Sequence, residues 1–164
     1  MINNRISMSM ISFIIILVVQ VFIPKMHLGF DMYIAPDIIL LYMVYLAFIL
    51  QRYHIILLGF SLGFIQDIIS QINLFGLFAF SKTIVGFLLG TIGLYDKIWN
   101  SQVKILFIFF AFFTHFFITY YMMYDRLSTP FSHIFQYSII QSLLSIVLMI
   151  IVNRFILIDN KIIK

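Results

Sequence analysis

Residues 55–93 read IILLGFSLGFIQDIISQINLFGLFAFSKTIVGFLLGTIG, and this stretch decides the class of fold. It contains two apolar runs joined by a short, weakly polar segment at 70–75. Three strongly polar residues, Gln66, Asp67 and Lys82, lie inside the apolar runs. An apolar run of about 20 residues is long enough to cross a bilayer as a helix. The stretch therefore predicts two consecutive transmembrane helices that carry polar groups within the membrane.

The composition of the whole chain agrees with a membrane protein. Hydrophobic residues make up 63% of the 164 residues, charged residues 10%, and the mean hydropathy is +1.12. A soluble domain of this size would need much more polar surface. The chain has no Cys, which excludes disulfides, thiolate metal sites and a Cys nucleophile. The net charge of +4 is spread between the apolar segments, so it does not indicate nucleic-acid binding.

Six apolar segments predict an all-α polytopic membrane protein with a single transmembrane domain over residues 1–164. The helices are expected at about 6–23, 34–50, 55–72, 76–95, 103–123 and 134–158. A signal peptide competes for the first segment, but the run is long for one and no small-residue cleavage site follows it. A re-entrant pair competes at 70–75, because the segment between the third and fourth helices is barely polar.

The distribution of basic residues predicts the orientation. Six spans place both termini on one side, where seven basic residues lie: Arg5, Arg52, Lys97, Lys104, Arg154, Lys161 and Lys164. The opposite side has only Lys25 and Arg126. Because basic residues are enriched in cytoplasmic loops, both termini are expected in the cytoplasm.

Asp67 and Lys82 are expected at similar depth. They lie on consecutive antiparallel helices, about 7–8 Å and about 9 Å below the same boundary at 1.5 Å per residue. A charge within the membrane normally faces the protein interior and has a partner. We therefore predict an Asp67–Lys82 ion pair, or a polar network that both share with Gln66. In the alternative interpretation, Lys82 extends to the outer interface and Asp67 is hydrated there.

Asp37 has two open interpretations. It follows Pro36 at the start of the second predicted helix, where an acidic residue favours the positive end of the helix dipole. It can therefore be a helix cap only, or it can join Asp67 in a polar cluster of the outer leaflet. Together, Asp37, Gln66, Asp67 and Lys82 form the candidate polar network, or a pocket for a partner or ligand.

Small residues recur at helical spacing on the third and fourth predicted helices. Gly59 and Gly63 are in line with Asp67, and Gly86 and Gly90 are in line with Lys82. Small residues four apart allow two helix backbones to approach closely in a membrane. We predict that the four glycines mediate internal helix packing; the alternative is an interface with another protein.

Two further polar features are expected to be structural. His115, near the middle of the fifth helix, is expected to be neutral and bonded to a carbonyl or a threonine. Ser138, Ser142 and Ser145 form a stripe on the sixth helix, and serines in apolar helices usually bond to their own backbone.

No motif in the sequence supports catalysis. The surroundings of Asp37 and Asp67 lack the polar residues typical of a lipoprotein signal peptidase, although two membrane aspartates invite that comparison. There is no His-Glu-x-x-His motif and no phosphate-binding glycine loop. Residues 59–63, GFSLG, fit the pattern Gly-x-Ser-x-Gly, but they lie inside an apolar predicted helix and not at the strand-to-helix turn of a hydrolase. We expect no enzymatic activity, no metal and no cofactor.

The order of these elements resembles the rod shape-determining protein MreD family. Residues 35–45, APDIILLYMVY, look like the start of that family's second helix, in which Pro-Asp leads into an apolar run. The counterparts that follow are Leu58-Gly59, Gly63 to Asp67, Gly76, and Lys82 to Gly90. Length, span number and short loops are also similar, whereas the first and last helices carry no signature.

The resemblance implies a non-enzymatic component of the bacterial inner membrane that supports lateral peptidoglycan synthesis. The implied partners are a bitopic MreC-like protein and, through it, the MreB filament and the RodA–transpeptidase pair. The family also looks like the substrate-binding subunits of energy-coupling-factor transporters. A small-solute-binding transport subunit is therefore the alternative, with Asp37, Asp67 and Lys82 lining its pocket.

Overall fold

The computed structural model describes residues 20, 22, 26–27, 33–70, 74–124 and 129–156. A two-residue antiparallel strand pair, β1 (Met26–His27) and β2 (Tyr33–Ile34), precedes the helices. Five helices follow: α1 (Ile38–Ala47), α2 (Arg52–Ser70), α3 (Leu77–Leu94), α4 (Ser101–Met123) and α5 (Phe131–Ile156). Apart from the strand pair, the regular structure in these segments is all α-helical.

Four of these helices, α2 to α5, are long and apolar enough to cross a membrane. Their bounds agree with four of the predicted spans to within a few residues. The first predicted span, 6–23, lies outside the described residues except for Gln20 and Phe22, which are helical. The six-span count and the position of the termini therefore stay predictions.

The second predicted span, 34–50, is shorter than expected, because only ten residues of it are helical. At 1.5 Å per residue α1 is about 15 Å long, half of a hydrocarbon core of about 30 Å. Ile34 belongs to the strand pair, Pro36 has no N–H to continue a helix, and Asp37 is the N-cap. At the other end, the apolar residues Phe48, Ile49 and Leu50 continue past the last helical residue, so hydropathy alone could not reveal where α1 ends.

The third predicted span, 55–72, begins earlier than expected, because α2 already starts at Arg52. The Arg52 side chain lies against Gly90 of α3, and its guanidinium carbon is 3.8 Å from the centre of the Phe87 ring. Its aliphatic part is thus covered by a neighbouring helix while its charge rests on an aromatic face. This packing allows a charged residue in the first turn of an apolar helix.

Helix α3 lies at the centre of the described bundle, where it contacts α1, α2 and α4, while α5 packs on α4. Helix α1 runs parallel to α3, since Asp37 contacts Lys82 at one end and Ala47 lies against Gly93 at the other. Between these ends is an apolar core that includes Leu40, Met43, Leu62, Leu89, Ile92, Ile108 and Phe112. The large apolar side chains on the outside of the helices are those that a lipid bilayer would cover.

Candidate functional site

Lys82 is the most deeply buried charged residue that the structure describes. It lies on α3 with no exposed surface, and its ammonium group forms an ion pair with Asp37 Oδ2. The aromatic ring of Phe78, one turn earlier on α3, lies 5.8 Å from the ammonium nitrogen. A lysine in a lipid environment is costly unless it has a partner, so this pair explains how α3 accommodates Lys82.

Asp37 divides its two carboxylate oxygens between a helix end and the ion pair. Oδ1 accepts a hydrogen bond from Leu40 N at 3.0 Å, which makes Asp37 the N-cap of α1. Oδ2 faces Lys82. Asp37 is therefore a helix cap, but not a cap only, and its side-chain partner is Lys82 and not Asp67, with which the second interpretation grouped it.

His115 of α4 completes this cluster. Its Nε2 atom lies 3.3 Å from Asp37 Oδ2, the same oxygen that contacts Lys82. The side chain is 1% exposed, and its ring stacks against Phe78 with the centroids 6.3 Å apart. His115 thus bonds to a carboxylate and not, as expected, to a carbonyl or a threonine. We call Asp37, Lys82 and His115 the buried triad.

Asp67 has a different role from the predicted one. Its two carboxylate oxygens accept hydrogen bonds from the backbone of Phe78 at 3.0 Å and of Ala79 at 2.9 Å. The expected ion pair of Asp67 with Lys82 is therefore corrected, because Lys82 is bonded to Asp37. The physical reason is the N-cap of α3, Gly76, which has no side chain to satisfy the first N–H groups of the helix. Asp67 satisfies them from α2, where its negative charge also favours the helix dipole.

Gln66 does not take part in the buried triad. Its Oε1 atom is buried and has no hydrogen-bond partner in the described structure. Of the four predicted network residues, the structure thus pairs Asp37 with Lys82, places Asp67 at the end of α3, and leaves Gln66 apart. Contact of any of these residues with a partner or a ligand remains a prediction.

The four glycines at helical spacing lie between α2 and α3. A Cβ atom added at Gly59 would meet the carbonyl of Lys82, and one added at Gly63 would meet Phe78 and Ala79. On the other helix, a Cβ at Gly86 would be 2.7 Å from Ile55 O, and one at Gly90 would meet Arg52. The two backbones therefore approach too closely for larger residues, and this approach brings Asp67 to the first turn of α3.

Two glutamines, which the sequence did not single out, hold the chain that leads into α1. Gln141, in the middle of α5, donates from Nε2 to Ala35 O at 2.6 Å and accepts a hydrogen bond from the Tyr120 hydroxyl. Gln20 donates from Nε2 to Pro36 O at 3.1 Å, and its Oε1 accepts from Ile38 N at 2.7 Å. The carbonyls of Ala35 and Pro36 are thereby satisfied inside the bundle, as a membrane environment demands.

The serines of α5 bond to their own helix, as predicted. Ser138, Ser142 and Ser145 each donate to the carbonyl four residues earlier, at 2.7, 2.5 and 2.9 Å. These bonds satisfy the hydroxyls locally, so the stripe offers a narrow, closely packing surface.

The chemistry of the site is that of charge burial. The two carboxylates have separate sets of donors, Lys82 and His115 for Asp37 and the backbone of α3 for Asp67. Within the described segments, no three His, Asp, Glu or Cys side chains come together as metal ligands. The two contacts of Asp37 Oδ2 link the start of α1 to α3 through Lys82 and to α4 through His115, so the triad fixes helices to each other.

These features define a multi-pass, all-α membrane protein whose helices are connected by buried polar contacts. The chain belongs to the family of the rod shape-determining protein MreD, whose family model matches residues 2–158. No curated protein and no solved structure matches the chain at a significant level of similarity. As a family member, the protein is a shape-determining membrane component.

Proposed function

We propose that this protein is a non-enzymatic subunit of the bacterial elongation complex in the inner membrane. In this proposal it binds a bitopic MreC-like protein and, through it, supports lateral peptidoglycan synthesis by the MreB filament and the RodA–transpeptidase pair. The observation that carries the proposal is the family match over nearly the whole chain. The multi-pass helical fold supports it, because such a bundle can dock the transmembrane helix of a partner.

The contacts of the polar residues favour a scaffold. Lys82 and Asp37 neutralise each other, and Asp67 is bonded to the backbone of α3. Groups that bind a polar solute need unsatisfied donors or acceptors directed toward it. Here the charged side chains are used to join α1, α2, α3 and α4, which is the expected use in a protein that presents a fixed surface to its partners.

The orientation is part of the proposal. We place both termini in the cytoplasm, because seven basic residues lie on the side of the termini and two on the other. Fusing alkaline phosphatase or green fluorescent protein after residue 164 tests this placement. Fluorescence without phosphatase activity is expected, and phosphatase activity would contradict it.

Affinity purification from the native membrane tests the partners. Protein with a C-terminal tag is solubilised in mild detergent, and the co-purifying proteins are identified by mass spectrometry. An unrelated multi-pass protein with the same tag, expressed at the same level, is the control. We expect specific enrichment of a bitopic MreC-like protein and the peptidoglycan elongation enzymes. Enrichment of paired ATPases with a helical coupling protein would contradict the proposal and make this protein a solute-binding transport subunit.

Depletion of the protein tests the function itself. We expect rod-shaped cells to become wider and rounder as the protein is lost, and a plasmid copy of the wild-type sequence to restore their width. Unchanged cell width after complete depletion would overturn the proposal, whatever proteins co-purify.

A further inference from the structure

We propose that His115 is a proton-binding site that controls how firmly the N-terminal end of α1 is held in the bundle. The proposal is independent of the partners in the elongation complex. It rests on the geometry of the buried triad and on the second nitrogen of the imidazole ring.

The first observation is that a single oxygen serves two donors. Asp37 Oδ2 contacts the Lys82 ammonium and lies 3.3 Å from His115 Nε2, while Oδ1 is engaged by the α1 backbone. A neutral imidazole with its proton on Nε2 fits this arrangement, because it donates one hydrogen bond to the carboxylate. One negative and one positive charge then balance within the triad.

The second observation concerns the other side of the ring. His115 Nδ1 is buried and has no hydrogen-bond partner in the part of the chain that the structure describes. A proton bound there would be an N–H without an acceptor in an apolar surrounding, which is costly. It would also give His115 a positive charge, so that two cations would share one carboxylate.

Among the residues that the structure describes, the groups around His115 include no second anion. From α3 it faces Lys82 and the ring of Phe78, and from the cap of α1 it faces Asp37. Asp67 of α2 also interacts with Lys82, but both of its oxygens are bonded to the backbone of α3. The titratable residues of α5 that the structure describes are His133, Tyr137 and Arg154. The electrostatic interactions of His115 are with Lys82 and Asp37 instead.

The consequence is an acid-sensitive attachment. In an open state, His115 is exposed to water and accepts the proton without these penalties. Acid therefore shifts the equilibrium from the closed bundle toward this open state. A free imidazole titrates near pH 6.5, so the stability that a neutral buried histidine contributes is complete above about that pH and decreases progressively as the pH falls below it. The α1 end is the element affected, because Asp37 is both its cap and the anion of the triad.

Thermal unfolding of the full chain in detergent at pH 7.5, 6.5, 5.5 and 5.0 tests the proposal. We compare wild type with His115→Asn, whose amide can donate to Asp37 but cannot take up a proton, and with His115→Gln as a second such variant. Exposed His54 provides the matched control, His54→Asn. We expect the Tm of wild type and of the control to fall by about 3–5 °C per pH unit more than that of the His115 variants below pH 6. Equal slopes for wild type and a folded His115 variant would overturn the proposal.

A measurement on the wild-type protein alone keeps the test independent of the variants. In protein labelled with ¹⁵N-histidine, the His115 signal at pH 7.5 is expected to show a neutral ring with the proton on Nε2. An imidazolium at pH 7.5, or a neutral ring with the proton on Nδ1, would overturn the proposal.

Discussion

Lys82 and Asp37 are 45 positions apart in the sequence, and their side chains form a buried ion pair where α1 begins. Asp37 ends a non-helical stretch and Lys82 lies in the second turn of the central helix. The pair therefore fixes the position of a helix that is too short to cross the membrane. Lys82 and Asp37 thus connect the Pro36-Asp37 segment to the glycine-containing helix α3, although the two are distant in the chain.

Asp67 is predicted to stabilise α3 through backbone contacts rather than through Lys82. Replacing Asp67 by Ala leaves the N–H groups of Phe78 and Ala79 without acceptors, at a cost of about 1–3 kcal/mol each. Replacing it by Asn keeps one acceptor and should cost less. Thermal unfolding in detergent measures both. A variant with Asp67 and Lys82 exchanged should not recover the stability, and recovery would indicate direct pairing.

Gly63 is predicted to be intolerant of any larger residue. Gly63→Ala places a methyl group 2.5 Å from the Ala79 Cα atom and against the Phe78 carbonyl, so α2 and α3 must separate. We expect a loss of about 1–3 kcal/mol and less protein in the membrane. Ser61→Ala is the matched control on the exposed face of α2, since it removes a hydroxyl bonded only to its own helix. Equal accumulation of both variants would contradict the close approach.

Gln141 is predicted to hold the entry of α1 from α5. Gln141→Leu removes the donor to Ala35 O and the acceptor for Tyr120, so a partly buried carbonyl loses this partner. We expect a loss of about 1–3 kcal/mol. Gln136→Leu, on the exposed side of the same helix, is the matched control and should change stability little. Equal effects of the two substitutions on Tm would show that the bond to Ala35 contributes nothing.

The sequence predicted the helices better than their contacts. Apolar length located α2 to α5, and the glycine spacing placed the small residues of α2 and α3 on the sides where these two helices face each other. The shortness of α1 was not predictable from hydropathy, since Ile34 and Phe48 to Leu50 are as apolar as the helix between them.

The partners of the charged residues required the tertiary structure. Helical spacing predicts the depth of Lys82 in the membrane and the helix face on which it lies. These two properties are compatible with either Asp67 or Asp37 as its partner. Which aspartate pairs with Lys82 depends on Gly76, the N-cap of α3. Because Gly76 has no side chain, the first N–H groups of α3 donate to Asp67 instead. Gln141 was visible as a polar residue in an apolar helix, but its acceptor, Ala35 O, is a backbone atom 106 positions away, which no side-chain pattern shows.

A double-mutant cycle between Asp37 and Lys82 tests the central structural claim most directly. Asp37→Asn keeps a side-chain acceptor for Leu40 N and removes the charge, and Lys82→Met removes the other charge at similar length. Each single variant leaves one unpaired buried charge and should lose about 3–5 kcal/mol, measured by thermal unfolding in detergent.

The combined variant should recover most of that loss, because no uncompensated charge remains, whereas Lys82→Met with Asp67→Asn should not recover. If Asp37→Asn with Lys82→Met instead loses the sum of the two single effects, the ion pair does not hold α1 in the bundle and the account is wrong.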